Sequence, residues 1–234
     1  MEHKSIEGFR LSPQQKRLWL LQRDSVAFRA HCSILIEGEL NGSVLKESLY
    51  RIMRRHEILR TNFYRPLGMK LPLQVIAEDR VPCLREVSLV GLSLQKQEER
   101  LEKLFITESE AGFNFEHDAL LKLMLVSLST RSFVLMITLP SLCADSWTLN
   151  KFFEEIGSTY QNCLQDGPPF EETIQYVQFS EFQNELLQAE EGRIYREYWQ
   201  KKDLSGFSLL SIPFEKKAES SAIFCPERVI FDID

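Results

Sequence analysis

Three side chains that could take part in chemistry lie close together in the connection after residues 135–139. Ser141, Cys143 and Asp145 occur in the stretch PSLCADSW, which follows the apolar run LMITL. An apolar strand, a tight connection and an amphipathic helix together form a place where an acyl-transfer enzyme can hold a general base. This connection offers a hydroxyl, a thiol and a carboxylate but no histidine. The sequence therefore leaves open whether the junction performs acyl transfer.

The elements on either side of the junction follow from their periodicity. Residues 120–129 and 133–139 are apolar runs joined by the short link Thr130-Arg131-Ser132, which predicts a hairpin at the centre of a sheet. After the junction, apolar residues recur at the spacing of one helix face. These residues are Leu149, Phe152, Phe153, Ile156 and Tyr160. We therefore expect a helix that packs on the sheet directly after the junction.

The rest of the chain also reads as alternating helices and strands. Ser12, Pro13 and Gln15 form a helix start with a capping box. Strands are predicted at residues 32–37, 61–64, 73–77 and 229–233, and helices at 45–56, 93–110 and 176–202, the last of them bent at Gly192. The fold class is α/β or α+β, with a mixed β-sheet covered by helices.

Composition excludes several classes of function. The 234 residues carry a formal net charge of −6, which argues against a nucleic-acid interface. No apolar run approaches the roughly 18–20 residues of a membrane span, and the first residues lack the apolar core of a signal peptide. We expect a cytoplasmic protein that binds neither nucleic acid nor membrane.

The five cysteines do not form a recognisable framework. Their number is odd and no C-x-x-C pair occurs, so neither a disulfide scaffold nor a zinc site is indicated. We expect free thiols that are mostly buried.

Three segments together resemble the condensation domains of nonribosomal peptide synthetases. SPQQKRLWLL at residues 12–21 is similar to the opening helix motif of that family. RHEILRTNF at residues 55–63 resembles the second motif almost letter for letter. YVQFSEF at residues 176–182, followed by Tyr198-Trp199, is similar to the helical motif that comes after the active-site loop.

The resemblance also implies a fold and a domain layout. Condensation domains consist of two chloramphenicol-acetyltransferase-like halves with a tunnel between them, and this chain resembles the N-terminal half. We expect a flexible tail at residues 1–10, a core at 11–165, and a continuation of the same subdomain at 166–234. The C-terminal half of the family fold is expected to be absent.

In the family, the active-site loop reads His-His-x-x-x-Asp-Gly, commonly followed by Trp. Anchoring this motif on Asp145 and Trp147 places Pro140 and Ser141 at the two histidine positions. The second histidine is the residue credited with positioning or deprotonating the attacking amine. A histidine with a pKa near 6.5 can accept that proton at neutral pH, whereas a serine hydroxyl is a very weak base. Losing the base costs roughly 10²–10⁴-fold in rate.

The motif aspartate has a structural role in the family, where it pairs with an arginine of the second motif. Arg55 and Arg60 are the candidate partners of Asp145, and the resemblance implies a structural role for His56. Breaking a buried pair of this kind costs roughly 3–5 kcal/mol. Such a pair would persist in a domain that had lost its chemistry.

Other residues are poor substitutes for the missing histidine. His3 lies in the expected tail, His31 precedes a strand, and His117 lies in a turn. Cys143 as a nucleophile would need a histidine or a cation beside it, and none is adjacent in sequence.

Two functions remain open. The first is an interaction or gating module without conventional condensation activity, which docks carrier proteins or recruits a tailoring enzyme, as histidine-less members of the family do. The second is a noncanonical acyltransferase that forms amides or esters between carrier-bound thioesters, with Ser141 and Asp145 as positioning groups. In both cases we expect no cofactor bound by the chain itself, substrates carried on phosphopantetheine, and adjacent synthetase domains as partners.

Overall fold

The computed structural model describes residues 7–22, 27–168, 171–203 and 205. In chain order the elements are β1 (Phe9–Arg10), α1 (Pro13–Leu21), β2 (Arg29–Glu37), α2 (Gly42–Arg55), β3 (Thr61–Tyr64), β4 (Leu73–Ile76), β5 (Leu84–Ser88), α3 (Leu94–Glu110), β6 (Lys122–Ser129), β7 (Ser132–Pro140), α4 (Ser146–Leu164), α5 (Tyr176–Gln188) and α6 (Glu190–Gln200). A short 3-10 helix, Glu57–Arg60, joins α2 to β3. No helix in the described ranges has the length and apolar composition needed to cross a bilayer.

A four-stranded mixed sheet in the order β2-β7-β6-β5 forms the centre of the fold. The predicted hairpin is confirmed, because β6 and β7 pair antiparallel and occupy the two middle positions. β2 pairs antiparallel with β7 along its whole length, and β5 adds in parallel to β6. β7 ends at Pro140, so the junction follows directly after this central strand.

Helices cover both faces of this sheet. On one face, α2 and α4 pack against alternate strand residues that include Leu123, Leu125, Leu135 and Ile137. The predicted stripe of α2 is confirmed, since Leu45, Leu49, Ile52 and Met53 are all at most 1% exposed. On the other face, α3 packs its narrow apolar stripe of Leu101, Leu104 and Phe105 against Met124, Val126, Val134 and Met136.

A second, three-stranded antiparallel sheet has the order β1-β4-β3. The mixed α/β class is confirmed, but the strands divide between two sheets, whereas the sequence suggested one. Phe9 and Arg10 fall in the segment expected to be a flexible tail, yet they pair with Gln74 and Leu73 of β4. The sheet therefore begins two residues before the predicted core. A strand of two residues is too short to show any periodicity in the sequence.

The C-terminal helices differ from expectation at one position. The predicted helical region is divided into α5 and α6 at Ala189, three residues before Gly192. Gly192 still matters, because a Cβ there would lie 2.5 Å from the carbonyl oxygen of Leu186. The glycine therefore lets α6 begin close against the end of α5. The predicted strand at residues 229–233 lies outside the described residues.

Two leucine truncations test the assignment of the sheet faces. Leu135→Ala is expected to lower the free energy of unfolding by about 2–5 kcal/mol, because Leu135 is 1% exposed in the core under α2 and α4. Leu35→Ala removes the same atoms from a side chain that is 58% exposed on β2, and is expected to change stability by at most about 0.5 kcal/mol. Denaturant titration of both variants gives the comparison. Similar losses in the two variants would contradict the described packing.

Candidate functional site

The junction between β7 and α4 forms the strand, loop and helix that the sequence predicts. The carbonyl oxygen of Pro140 accepts hydrogen bonds from the backbone N–H groups of Cys143, at 2.8 Å, and Ala144, at 3.3 Å. The N–H of Ser141 donates to the carbonyl of Phe28 at 3.0 Å, which ties the turn to the segment before β2. Residues 141–144, called the Ser141 loop below, therefore form one tight turn before α4.

A small pocket of about 90 Å³ opens beside this loop. Its lining includes Gln14, Leu18, Ser141, Asp145, Thr148 and Tyr176, which come from α1, the loop, α4 and α5. This volume is that of about three water molecules. The pocket can therefore hold a small polar group.

Asp145 caps its own helix. Its carboxylate accepts hydrogen bonds from the backbone N–H and the hydroxyl of Thr148, each at 2.7 Å, and the residue is exposed. These hydrogen bonds from Thr148 hold the pKa of the Asp145 carboxyl below its ordinary value. The predicted ion pair between Asp145 and Arg55 or Arg60 is therefore wrong, because a capping carboxylate faces the first turn of its own helix.

The second motif instead contacts α4 farther along its length. Arg55 donates to Glu155 at 2.8 Å, and the His56 ring nitrogen Nε2 lies 2.7 Å from the other oxygen of the same carboxylate. Glu155 follows Asp145 by ten residues, which is about 15 Å along a helix. Burial opposes ionisation of Glu155, but the bonds from His56 and Arg55 hold its pKa below the ordinary value. This cluster therefore joins α2 to α4 at a distance from the junction.

Arg60 also lies away from the junction. Its guanidinium donates to the carbonyl of Ala77 at 3.2 Å and lies 3.5 Å from a carboxylate oxygen of Glu57. Arg55, Arg60 and Glu155 line a groove of about 680 Å³ between α2, α4 and the segment before α5. This groove is larger than the junction pocket, but Ser141 and Asp145 do not line it.

The other two predicted residues of the junction differ in exposure. Trp147 is 70% exposed, and the Nζ of Lys151 lies 5.6 Å from the centroid of its ring. Cys143 is buried, and burial raises the pKa of its thiol far above the ordinary value. A thiol with a raised pKa is a poor nucleophile, so the structure gives no support to Cys143 as a nucleophile.

The histidines that the structure describes lie outside the lining of the junction pocket. His31 lies in β2, where its Nδ1 lies 2.6 Å from the hydroxyl of Thr138 and its ring packs on Phe105 of α3. His56 bonds to Glu155, and His117 lies exposed in a turn. His3 lies outside the described residues. Among the described residues, no histidine lines the pocket beside Ser141.

A buried polar network behind the loop was not predicted. Gln15 donates through Nε2 to Gln74, at 3.0 Å, and to the carbonyl of Leu142 in the loop, at 3.1 Å. The hydroxyls of Ser12 and Tyr176 lie 2.9 Å apart. The sequence revealed Gln15 and Ser12 as a capping box, which the structure confirms, but gave no sign that the same amide reaches the loop.

The comparisons with known proteins agree with this architecture. A family model described as a condensation domain matches residues 6–234. The chain belongs to the condensation-domain family. Gramicidin S synthase 2 of Brevibacillus brevis is 26% identical over 230 residues, which are 97% of this chain and 5% of that protein. Bacitracin synthase 1 of Bacillus licheniformis is 27% identical over 213 residues, 90% of this chain and 4% of that protein. This chain thus spans only a few per cent of the length of these synthetases.

Solved condensation-type structures share the fold. The starter condensation domain of the rhizomide synthetase RzmA has a TM-score of 0.72 and 16% identity, with 83% of this chain and 47% of that chain covered. An X-domain solved in complex with OxyB from teicoplanin biosynthesis has a TM-score of 0.69 and 23% identity, with 84% and 44% covered. The match to the family inferred from sequence is confirmed, and the shared region spans a little under half of each solved chain.

A substitution on α4 tests the cluster around Glu155. Glu155→Gln is expected to lower the free energy of unfolding by about 1–3 kcal/mol at neutral pH, because it removes the carboxylate that accepts from the Arg55 guanidinium and bonds to the ring of His56. The neighbouring Glu154→Gln removes an exposed carboxylate that pairs only with Lys151 among the described residues, and is expected to have little effect.

The pH dependence of the free energy of unfolding gives a second comparison of the same two variants. Because the pKa of Glu155 is lowered in the fold, its stabilisation is present above the unfolded pKa of about 4.3 and is lost as the pH falls below that value. Glu155→Gln should therefore flatten the acid limb of a stability–pH curve, whereas Glu154→Gln should leave it unchanged. An unchanged acid limb in Glu155→Gln would contradict the cluster.

Proposed function

We propose that this chain is part of a condensation-like domain of a cytoplasmic peptide synthetase that does not form peptide bonds by the conventional route. Its role is that of an interaction or gating module that docks carrier proteins or a tailoring enzyme. The observation that carries the proposal is the pocket beside the Ser141 loop, in which the described lining contains no histidine.

Conventional condensation requires a proton acceptor at this position. The acceptor amine attacks the donor thioester carbonyl, the C–N bond forms, the C–S bond breaks, and the amine proton must leave. Ser141 has a hydroxyl of very low basicity, and the pKa of Asp145 lies below its ordinary value because Thr148 binds its carboxylate. Asp145 is therefore a weaker base than a free aspartate, and it does not replace the histidine.

The intact scaffold supports a retained role in recognition. The α2–α4 cluster, the hairpin and the capping box are all in place, so the domain keeps the shape of its family without the motif histidines. An X-domain with a similar fold has been solved in complex with OxyB. That precedent supports a protein partner for this chain, and the carrier-bound substrates of the synthetases that it resembles support docking of a carrier protein.

The C-terminal helices also support a larger assembly. Several apolar side chains of α5 and α6 are strongly exposed, among them Phe182 (60%), Ile194 (66%), Tyr195 (67%) and Trp199 (66%). Exposed apolar surface of this kind marks an interface. These exposed side chains are available for contact with a partner protein or with a further part of a condensation domain.

A noncanonical acyltransferase is the second candidate. Ser141, Thr148 and the hydroxyl of Tyr176 line the same pocket, and burial raises the pKa of Tyr176, so that the phenol stays protonated. These hydroxyl groups can orient an acceptor amine or alcohol by hydrogen bonds without deprotonating it. In this case Ser141 and Asp145 act as positioning groups.

Product analysis on the complete polypeptide that contains this chain separates the two candidates. The domain is supplied with donor and acceptor groups on phosphopantetheine of their carrier proteins, and intact-mass spectrometry follows the acceptor carrier. The proposal predicts no condensed product above the rate of Ser141→Ala, since the general base that contributes about 10²–10⁴-fold is missing. Product formation at an ordinary condensation rate that Ser141→Ala abolishes would refute it and establish the acyltransferase.

A further inference from the structure

The side chain of Gln15 is buried at the meeting point of three structural elements. It is 1% exposed, and its carboxamide oxygen accepts the N–H of Ser12 at 3.0 Å. Its Nε2 donates to the side-chain oxygen of Gln74 in β4 and to the carbonyl of Leu142 in the Ser141 loop. The side-chain oxygen therefore accepts a hydrogen bond in the cap of α1, while the side-chain N–H groups donate to β4 and to the loop.

The bond to Leu142 matters because it restrains the loop from its buried side. Leu142 is 2% exposed, and a buried carbonyl without a partner is costly. In the part of the chain that the structure describes, Gln15 is the one side chain that donates to the backbone of residues 141–144. The Gln15 amide therefore adds a side-chain restraint to the backbone bonds that hold the loop carrying Ser141.

The amide is itself held from the side of α5. Gln74 donates to the carbonyl of Arg10 at 2.9 Å and lies 3.4 Å from the hydroxyl of Ser180, which in turn donates to the same carbonyl at 2.7 Å. Ser180 lies on the inner face of α5, and Phe179 and Phe182 lie on its exposed face. A continuous chain of hydrogen bonds thus runs from α5 through β4 and Gln15 to the Ser141 loop.

We propose that Gln15 is a positioning residue for the Ser141 loop and that it links the placement of α5 to the placement of Ser141. The inference rests on the proposed function only in taking the Ser141 loop as the functional site. Its test measures loop opening and not product, so the two can fail separately.

Cys143 is a built-in reporter of loop opening. Cys143 borders the junction pocket but is only 8% exposed, so rapid labelling by a thiol reagent requires the loop to open. Cys163 is buried near the end of α4 and reports opening of the rest of the fold, whereas exposed Cys83 reports the reactivity of the reagent. Peptide mass spectrometry of the labelled chain reads all three positions in one experiment.

Gln15→Met removes both donor bonds and also the bond that the carboxamide oxygen accepts from the Ser12 N–H, while it keeps the size of the side chain. We expect labelling of Cys143 to become about tenfold faster, with labelling of Cys163 and Cys83 unchanged; a factor of ten corresponds to about 1.4 kcal/mol of opening free energy. Ser12→Ala is the control, because it weakens the cap of α1 and removes the contact between the Ser12 and Tyr176 hydroxyls but leaves the amide on Leu142. Ser12→Ala should accelerate the labelling of Cys143 much less than Gln15→Met does.

A milder variant tests the link to α5. Ser180→Ala removes one hydroxyl from the network. It should accelerate the labelling of Cys143 by about twofold or more without changing the labelling of Cys163. This variant decides the question if Gln15→Met does not fold. Unchanged Cys143 labelling, or equal acceleration at Cys143 and Cys163, would overturn the proposal, since the first outcome leaves the loop unaffected and the second reflects loss of overall stability.

Discussion

The hydrogen bond from Gln15 to the carbonyl of Leu142 is the interaction that we propose to hold the Ser141 loop in place. One neutral amide completes the cap of α1, bonds to β4 and supports the loop that follows the central strand. Each of these groups is buried, and buried polar groups need partners. The Gln15 amide bonds to these groups without placing a charge in the interior, where an unpaired charge costs a large amount of free energy. The loop is therefore supported by a buried amide that itself lines the pocket beside Ser141.

This arrangement explains how the domain can keep its shape while lacking the motif histidines. Besides the apolar core, the contact between α2 and α4 includes Arg55 and His56 bonded to Glu155, and Glu155 lies about 15 Å along α4 from Asp145. The loop depends on neutral groups of α1 and β4. Neither of these two sets of contacts uses the side chain of Ser141 or of Pro140, the residues at the positions of the two motif histidines. Structure and chemistry are thus carried by different residues, so the chemistry can be lost while the fold is retained.

Much of the fold could be predicted because local patterns determine it. The stripe of α2, the alternation in β2 and the two apolar runs of the hairpin each follow from a period that burial imposes. The capping box of α1 follows from a spacing of three residues. The site was harder, because its contacts join distant parts of the chain. No local pattern distinguishes Glu155 from Glu154, although Glu155 is half-buried against Arg55 and Glu154 faces solvent. The second role of Gln15 likewise depends on Gln74 and Leu142, which lie far away in sequence.

The free energy of unfolding of Asp145→Asn at neutral pH is the most direct test of how the junction is built. In the structure, Asp145 is a surface cap for α4, and asparagine caps a helix about as well as aspartate does. We predict a loss of less than about 1 kcal/mol, since no arginine among the described residues depends on this carboxylate. A loss of about 3–5 kcal/mol would show that Asp145 is the partner of a buried arginine, and would contradict the description of the junction.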